Sequence, residues 1–272
     1  MLGGLIAGAG LAMASLLPKA SSAKARAYAA EKLAATYTHD TPQGPIVFFC
    51  DARMAYKAVS QALRTEPETR GWIDVHIQPG ECLWDIGANV GVWSLYAART
   101  RGARVVAFEP SAQTYGALYK NILANRLDGL ISAYCVALSD KTGVDDFYIW
   151  GAEPGTSMNA LGAPETVRGP FKEEFKQAAL SYRIDDFAKL AGIPAPDHIK
   201  LDIDGIEELA LKGGAQTLRQ VKSLIIEREN VRHDADAWFA RVKAMMAEAG
   251  LEFQPATPRD HGYNELFLRV GA

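Results

Sequence analysis

Carboxylates stand at the ends of four strand-like apolar runs in this chain, an arrangement typical of a binding site. Asp85, Glu109, Asp202 and Glu227 lie at or next to the ends of these runs. The carboxyl ends of parallel strands in a doubly wound sheet line a single crevice, so these acids are expected to meet there. Gathered carboxylates repel one another unless a cation, a hydrogen-bond donor or a proton balances them. The pattern therefore predicts a ligand site at this edge of the sheet.

The first of these acids opens a turn with two glycines, Asp85-Ile-Gly87-Ala-Asn89-Val-Gly91. A strand, a tight turn and a helix start form the first βα unit of nucleotide-binding sheets. The G-x-G-x-x-G pattern of dinucleotide sites is absent, because the middle glycine is missing. The carboxylate of Asp85 suits a cationic ligand, and S-adenosylmethionine (SAM) carries an amino group and a sulfonium. The turn therefore favours SAM over NAD, although Asp85 could instead cap the following helix.

The second acid, Glu109, follows Asp85 by 24 residues and precedes Pro110. A carboxylate at this strand end commonly accepts hydrogen bonds from both ribose hydroxyls, in SAM and in NAD sites alike. Ser139 and Asp140 leave the third strand at the same edge. One of them is expected to meet the adenine amine or, alternatively, to start the next turn.

Composition narrows the function classes. The net charge is −3 and the pI about 6, so the chain lacks the overall positive charge typical of proteins that bind nucleic acid. The three cysteines and five histidines show neither a disulfide framework nor metal-ligand spacing, which fits a reducing compartment. These features predict a cytoplasmic globular protein.

The chain is expected to divide into an N-terminal extension at 1–45 and one α/β domain at 46–272. In the extension, a helix is expected from Ser22 to Tyr37, followed by a linker. Residues 46–78 are expected to form a strand and two helices that cover the ligand site. The second of these helices starts at Glu66-Pro67-Glu68, whose acids suit the helix dipole.

Residues 1–17 are uncharged and apolar, and Pro18 follows them. Three interpretations remain open: a weak membrane anchor, a poorly ordered tail, or a helix packed on the domain. The length is at the short limit for a membrane span. The nearest basic residues all follow this segment, which would keep the domain in the cytoplasm.

The motifs together resemble the FkbM-type methyltransferases, a branch of the class I SAM-dependent fold. The resemblance runs from about Trp72 to Val270. Asp204 is a departure, because the family usually has Glu there. The matching segments are Trp84-Asp85-Ile86-Gly87-Ala88-Asn89-Val90-Gly91, Ala107-Phe108-Glu109-Pro110, Ala137-Leu138-Ser139-Asp140, Ile199-Lys200-Leu201-Asp202-Ile203-Asp204-Gly205-Ile206-Glu207, Gly213-Gly214-Ala215 and Ile225-Ile226-Glu227.

The resemblance implies a doubly wound, mostly parallel seven-stranded sheet and methyl transfer from SAM. The acceptor would be a hydroxyl of a small molecule, sugar or lipid. Asp202 would lie beside the transferred methyl group. The methionine end of SAM would be held by Asp85, Gly87, Asn89 and Gly91, and the ribose by Glu109.

Deprotonation of a hydroxyl acceptor needs a base. Asp202, Glu227 and His233 are the candidates from the sequence. Catechol-type O-methyltransferases, which look similar in topology, hold Mg²⁺ in this region. Asp202, Glu227 and Asn230 would supply oxygen ligands for such an ion.

Two other function classes stay open. An NAD-binding oxidoreductase predicts a close Gly-x-Gly and a catalytic Tyr/Lys or His constellation, and neither is found in the sequence. A non-catalytic module with the same fold would not need acids at every strand end.

Overall fold

A computed structural model describes residues 18–32, 34–228, 234–255 and 264–271. The apolar segment 1–17, Asn230 and His233 lie outside the described residues, so their predicted roles remain predictions. Within the described ranges, no helix has the length and apolar character needed to cross a membrane.

The described chain alternates strands and helices, with an antiparallel pair of strands near each end. The helices are α1 (Lys19–Lys32), α2 (Arg53–Thr65), α3 (Pro67–His76), α4 (Val92–Arg101), α5 (Ala112–Ala124), α6 (Ile184–Phe187), α7 (Glu207–Gly213) and α8 (Ala235–Glu248), with a 3₁₀ turn at Thr217–Arg219. The strands are β1 (Thr36–His39), β2 (Ile46–Phe49), β3 (Cys82–Ile86), β4 (Arg104–Phe108), β5 (Ile131–Tyr134), β6 (Ala137–Ser139), β7 (Gly143–Ile149), β8 (Ala160–Leu161), β9 (Glu165–Thr166), β10 (Gly169–Pro170), β11 (Phe175–Arg183), β12 (His198–Leu201), β13 (Ser223–Glu227), β14 (Leu251–Gln254) and β15 (Asn264–Arg269).

The main sheet has seven strands in the order β14-β15-β13-β12-β3-β4-β5. Its neighbours pair in parallel except at β15, which runs antiparallel to β13 and β14. The predicted doubly wound, mostly parallel seven-stranded fold is confirmed. From β3 the strands proceed outward through β4 to β5, and from β12 through β13 to the antiparallel pair β15 and β14. Ligands bind at such a switch point, beyond the carboxyl ends of the two central strands.

Apolar residues cover both faces of this sheet, which explains why its strands read as continuous apolar runs. All five residues of β3 are buried. On one face, Trp84 packs against Phe108 and Phe187, with ring centroids 5.1 and 5.9 Å away. Burial on both faces leaves the strand ends as the place where polar side chains reach solvent or a ligand.

Residues 46–76, which we call the cap, pack on the main sheet through buried polar contacts as well as apolar ones. The indole nitrogen of Trp72 donates to Ser223 Oγ at 2.8 Å. The amide oxygen of Asn121 accepts from the backbone N–H of Phe49 at 2.8 Å. These contacts attach α3 to β13 and β2 to α5.

The predicted helix over Ser22–Tyr37 is wrong at its end. Helix α1 ends at Lys32, and Tyr37 lies in β1, which pairs antiparallel with β2. The Tyr37 ring packs edge-on against Tyr56, with centroids 6.1 Å apart. Pairing with β2 and packing on α2 therefore outweigh the local helical spacing and determine the conformation around Tyr37. The hairpin crosses the predicted division at residue 45, and that domain boundary stays a prediction.

The structure contains a second sheet, in the order β6-β11-β7-β8, which the sequence did not predict. Its two longest strands, β7 and β11, pair antiparallel. The long segment 151–170 contains three two-residue strands, β8, β9 and β10. This sheet holds the segment beside the carboxyl edge of the main sheet, where it lines the cavities described below.

Candidate active site

Two cavities lie at the carboxyl ends of β3 and β12. The larger has a volume of about 550 Å³ and extends beneath the cap, and the smaller has about 120 Å³ and extends towards β4 and β6. The residues common to both linings are Gly87, Asn89, Ser157, Asp202 and Asp204. The cavities are therefore neighbours that meet at the end of β12.

The turn after β3 lines both cavities and has an unusual backbone. Gly87 has φ +85°, and a Cβ built there would lie 1.7 Å from the backbone oxygen of Asp202. No side chain fits in that space. Asn89 is also left-handed, with φ +50°, and Gly91 begins α4 at φ +91°. Glycine at position 87 thus lets the end of β12 approach the turn directly.

Asp85 is 1% exposed, and its carboxylate lines the larger cavity. One oxygen, Oδ2, accepts a 2.5 Å hydrogen bond from Ser94 Oγ. The other, Oδ1, has no hydrogen-bond partner among the described residues. Burial raises the pKa of Asp85, an effect that the Lys200 ammonium and Ser94 oppose. A buried acceptor without a donor is costly, so Oδ1 suits a ligand that brings a donor or a positive charge.

Glu109 lies at the smaller cavity beside Pro110. Its Oε1 accepts from the backbone N–H of Ser111 at 2.8 Å, and its Oε2 accepts from that of Asn89 at 3.1 Å. Burial raises its pKa to about 7. Each carboxylate oxygen has more than one acceptor direction, so both retain capacity for ligand hydroxyls. The apolar part of this cavity is formed by Phe108, Val136, Leu138, Phe147, Leu161 and Ile206.

Lys200 was quoted in the sequence motif without a role, and it proves central to the site. Its side chain is 4% exposed, and Nζ donates to Asp202 Oδ2 at 2.7 Å. Asp85 is its partner across the β12–β3 ladder. Burial alone would lower the pKa of Lys200, but Asp202, Asp85 and Glu66 together raise it. A lysine inside a strand buried on both faces was the signal available in the sequence.

Asp202 lines both cavities, as expected for a residue at their junction. Burial would raise its pKa, but the Lys200 ammonium and a hydrogen bond with Glu227 lower it overall. Glu227 also lines the larger cavity. The structure thus brings Asp202 and Glu227 together, as predicted from the strand ends.

The Mg²⁺ site considered from the sequence stays a prediction, because Asn230 lies outside the described residues. Divalent magnesium prefers oxygen ligands, whereas Asp202 already holds the ammonium of Lys200. The described residues contain no group of three or more acidic, histidine or cysteine side chains arranged to bind a metal.

Glu66 is a member of the site that sequence reasoning missed. The sequence indicated only a helix start there, and Glu66 does occupy the N-cap position of α3, but its side chain makes no capping bond. Instead, Oε2 accepts from Trp93 Nε1 at 2.9 Å and from Asn264 Nδ2 at 3.3 Å, and the carboxyl lines the larger cavity. Burial raises its pKa to about 7.

Ser139 and Asp140 line neither cavity. The Ser139 hydroxyl lies 2.7 Å from that of Ser181, which ties β6 to β11. The adenine contact remains a prediction without support from this placement, because the side chain of Ser139 already bonds within the second sheet.

The remaining acids after β12 have different partners. Asp204, left-handed at φ +55°, accepts from the backbone N–H of Met158 at 2.6 Å. Glu207 is buried, and its carboxylate accepts from the Gly205 N–H at 2.9 Å. Glu208 forms ion pairs with Lys212 and Arg241 and lines neither cavity. Asp204 therefore attaches segment 151–170 to the site, whereas Glu207 orders the turn.

Comparison with known proteins gives curated relatives that are methyltransferases by name. Hexuronic acid methyltransferase AglP of Haloferax volcanii is 27% identical over 184 residues, which cover 65% of this chain and 70% of that protein. The 31-O-demethyl-FK506 methyltransferase FkbM of Streptomyces tacrolimicus is 26% identical over 206 residues, covering 65% of this chain and 74% of that protein. Among solved structures, precorrin-6Y C5,15-methyltransferase of Geobacter metallireducens overlaps 74% of this chain and 87% of its own, with a TM-score of 0.42 and 14% identity.

The family model described as the methyltransferase FkbM domain matches residues 85–263. The match begins at the acid of the turn after β3 and includes Glu109, Asp202 and Glu227. It confirms the predicted family and the prediction of a SAM-dependent methyltransferase. The chain belongs to the FkbM methyltransferase family.

Proposed function

We propose that this protein transfers the methyl group of SAM to a hydroxyl group of an acidic sugar. The main support for this proposal is that two cavities with different linings are adjacent at Asp202. The smaller has a largely apolar lining, with Glu109 on one side and Asp202 and Asp204 at the junction, which suits a nucleoside. The larger has room for a second molecule.

The residues around the turn after β3 fit SAM. Glu109 would accept the hydroxyl protons of the ribose, and the unpartnered Oδ1 of Asp85 would accept from the amino group. Gly87 lets the end of β12 approach the turn, and Asn89 lines both cavities. Gly91 begins the helix behind them. When bound, SAM supplies an electrophilic methyl group on a sulfonium sulfur.

The mouth of the larger cavity supports an anionic acceptor. Lys57 on α2 and Arg168 beside β10 are exposed and line it, and neither forms an ion pair within the described ranges. Trp150 and Phe171 add aromatic surface there. Guanidinium and ammonium groups recognise carboxylates, and aromatic rings offer flat apolar surface to a sugar ring. AglP, as its name states, acts on a hexuronic acid.

Methyl transfer is an in-line displacement, so catalysis depends mainly on placing the hydroxyl against the methyl carbon. Asp202, at the junction of the cavities, is the proposed neighbour of the reacting groups. The Lys200 ammonium holds it ionised and fixed. A fixed charge arrangement in a partly dry site needs little reorganisation during the reaction. Glu227 and His233 stay predictions as bases.

Asp85→Asn and Glu109→Gln are expected to weaken SAM binding at least tenfold without unfolding the protein, because each removes a charged acceptor from a proposed donor. Isothermal titration calorimetry with SAM measures this. Asp140→Asn is the matched control, since Asp140 lines neither cavity. The affinity of this variant for SAM should stay within twofold of that of the wild type. A tenfold loss in the control would instead support the adenine contact predicted from the sequence. Binding of NAD in place of SAM would contradict the proposed function.

Removing the two cations at the mouth should weaken binding of the acceptor and leave binding of SAM unchanged. The double variant Lys57→Ser/Arg168→Ser is expected to raise KM for a uronic acid glycoside tenfold or more, with Kd for SAM unchanged. Lys189 and Lys172 lie outside both cavity linings, so Lys189→Ser/Lys172→Ser is the control for lost surface charge. Equal losses in the two double variants would argue against a specific role of Lys57 and Arg168.

A further inference from the structure

The larger cavity contains a carboxyl group that the site residues proposed above do not include. Glu66 stands between α2 and α3, before the first residue of the family match at 85. It belongs to the cap, which also carries Lys57 of the cavity mouth. Its position places an acid on the acceptor side of the junction at Asp202, since Glu66 lines the larger cavity and not the smaller.

The carboxyl group is held in place through one of its two oxygens. Oε2 accepts from Trp93 Nε1 at 2.9 Å, from Thr69 Oγ1 at 3.3 Å and from Asn264 Nδ2 at 3.3 Å. In the described part of the chain, none of the hydrogen bonds to Glu66 reaches Oε1. One oxygen is therefore anchored by three donors while the other keeps its lone pairs for a ligand.

The charges around Glu66 favour proton exchange near neutral pH. Burial raises the pKa of Glu66 to about 7, with Asp202 acting in the same direction and Lys200 in the opposite one. Asp85 and Glu227 line the same cavity, and Glu68 shares the Asn264 amide. A base is most effective when its pKa lies near the working pH. Asp202, one of the candidates from the sequence, is less suited, because Lys200 holds its pKa low.

We propose that Glu66 is the catalytic base, and that its Oε1 removes the proton from the acceptor hydroxyl. The inference rests on the proposed transfer of a methyl group to a hydroxyl. The O–H bond of the acceptor breaks and its proton passes to Oε1. The acceptor oxygen forms a bond to the methyl carbon, while the S–CH₃ bond breaks and leaves its electron pair on sulfur. The protonated carboxyl then returns its proton to water.

The test uses the full chain with SAM and three acceptors: the 4-nitrophenyl glycosides of glucuronic acid, galacturonic acid and glucose. Formation of S-adenosylhomocysteine is followed from pH 5.5 to 9. Glu66→Gln is expected to lower kcat at least 100-fold, the usual scale of general-base catalysis, with Kd for SAM within twofold of the wild type. The wild-type kcat should rise with an apparent pKa near 7, and this rise should be absent in the variant.

Two further variants separate catalysis from structure. Glu68→Gln changes a neighbouring acid that touches the same Asn264 amide at 3.4 Å without lining either cavity. It should keep both kcat and the pH profile. Glu66→Asp should retain the pH-dependent rise at a lower rate, because it keeps a carboxylate with a shorter reach. It also replaces Glu66→Gln as the test if the amide variant does not fold.

The outcomes distinguish the inference from the proposed function. A Glu66→Gln protein that turns over like the wild type, or that keeps the rise near pH 7, overturns the role of Glu66 and leaves the methyltransferase proposal intact. Turnover of the neutral glucoside alone overturns the acidic-sugar acceptor, and the Glu66 test then proceeds with that glycoside. Failure of the wild type with all three acceptors counts against hydroxyl methylation of sugars and against this inference together.

Discussion

Replacing Gly87 with alanine is expected to have the largest effect of any single methyl group added to this protein. The left-handed backbone at φ +85° disfavours a side chain by about 1–2 kcal/mol. The new Cβ would also overlap the backbone oxygen of Asp202, 1.7 Å away, which cannot rotate aside. Overpacking typically adds about 1–3 kcal/mol, so the free energy of unfolding should fall by about 2–5 kcal/mol. SAM binding should be lost, because the end of β12 must move.

Gly80→Ala is the matched control for this experiment. Gly80 has nearly the same backbone angle, φ +84°, but no atom lies within 4 Å of its added Cβ. Its cost should be limited to the backbone strain of about 1–2 kcal/mol, without loss of SAM binding. Urea unfolding and calorimetry measure both variants. Equal destabilisation by the two alanines would show that strain, and not the contact with Asp202, makes glycine necessary at position 87.

Lys200→Met is the second large change that we expect. The side chain of Lys200 is 4% exposed, and its ammonium balances Asp202, Asp85 and Glu66. Removing one partner of a buried ionic group leaves uncompensated charge, which typically costs about 3–5 kcal/mol of folding free energy. Lys212→Met removes an exposed ion pair with Glu208 and should cost less than about 1 kcal/mol. Urea unfolding at pH 8 compares the two.

The loss of unfolding free energy caused by Lys200→Met should depend on pH in a defined direction. Without the ammonium, the already raised pKa values of Asp85 and Glu66 rise further above those in the unfolded chain, and the lowered pKa of Asp202 rises as well. A group with a raised folded-state pKa contributes stability that is present below its unfolded pKa and lost as pH rises through the folded one. The difference from wild type should therefore be smaller at pH 5 than at pH 8. A deficit that is independent of pH would mean that lost packing, and not charge, is responsible.

The parts of the fold that the sequence predicts best are the strands buried on both faces. In β3 and β13, burial on both sides demands uninterrupted apolar runs, which are easy to recognise. Strand β11 was missed because it lies in the smaller sheet and exposes most of its nine residues at least partly. Tyr37 was assigned to a helix because local spacing cannot reveal a pairing partner in β2. Both errors concern elements whose conformation depends on distant contacts.

The same distinction applies to the site. Asp85 and Glu109 were predicted because strand ends of a parallel sheet share one edge whatever the surrounding structure. Glu66 lies at a helix start, where the favourable interaction of an acid with the helix dipole already explains its presence. Only the packing of the cap, through Trp93 and Asn264, turns its carboxyl towards the cavity. Lys200 was accessible to reasoning, because a lysine in a fully buried strand requires nearby acids.

The two walls of the larger cavity differ in how they are supported. The cap wall is joined to the main sheet by the buried Trp72–Ser223 hydrogen bond and by Asn264, so its movement would disturb the core. The opposite wall belongs to segment 151–170, which is attached near the site through the Asp204–Met158 bond. This segment also bonds to the cap and to α5, through Glu153 with Met54 and Gly155 with Thr114. Evolution towards new acceptors has more freedom on that side, where changes in length and sequence leave the sheet intact.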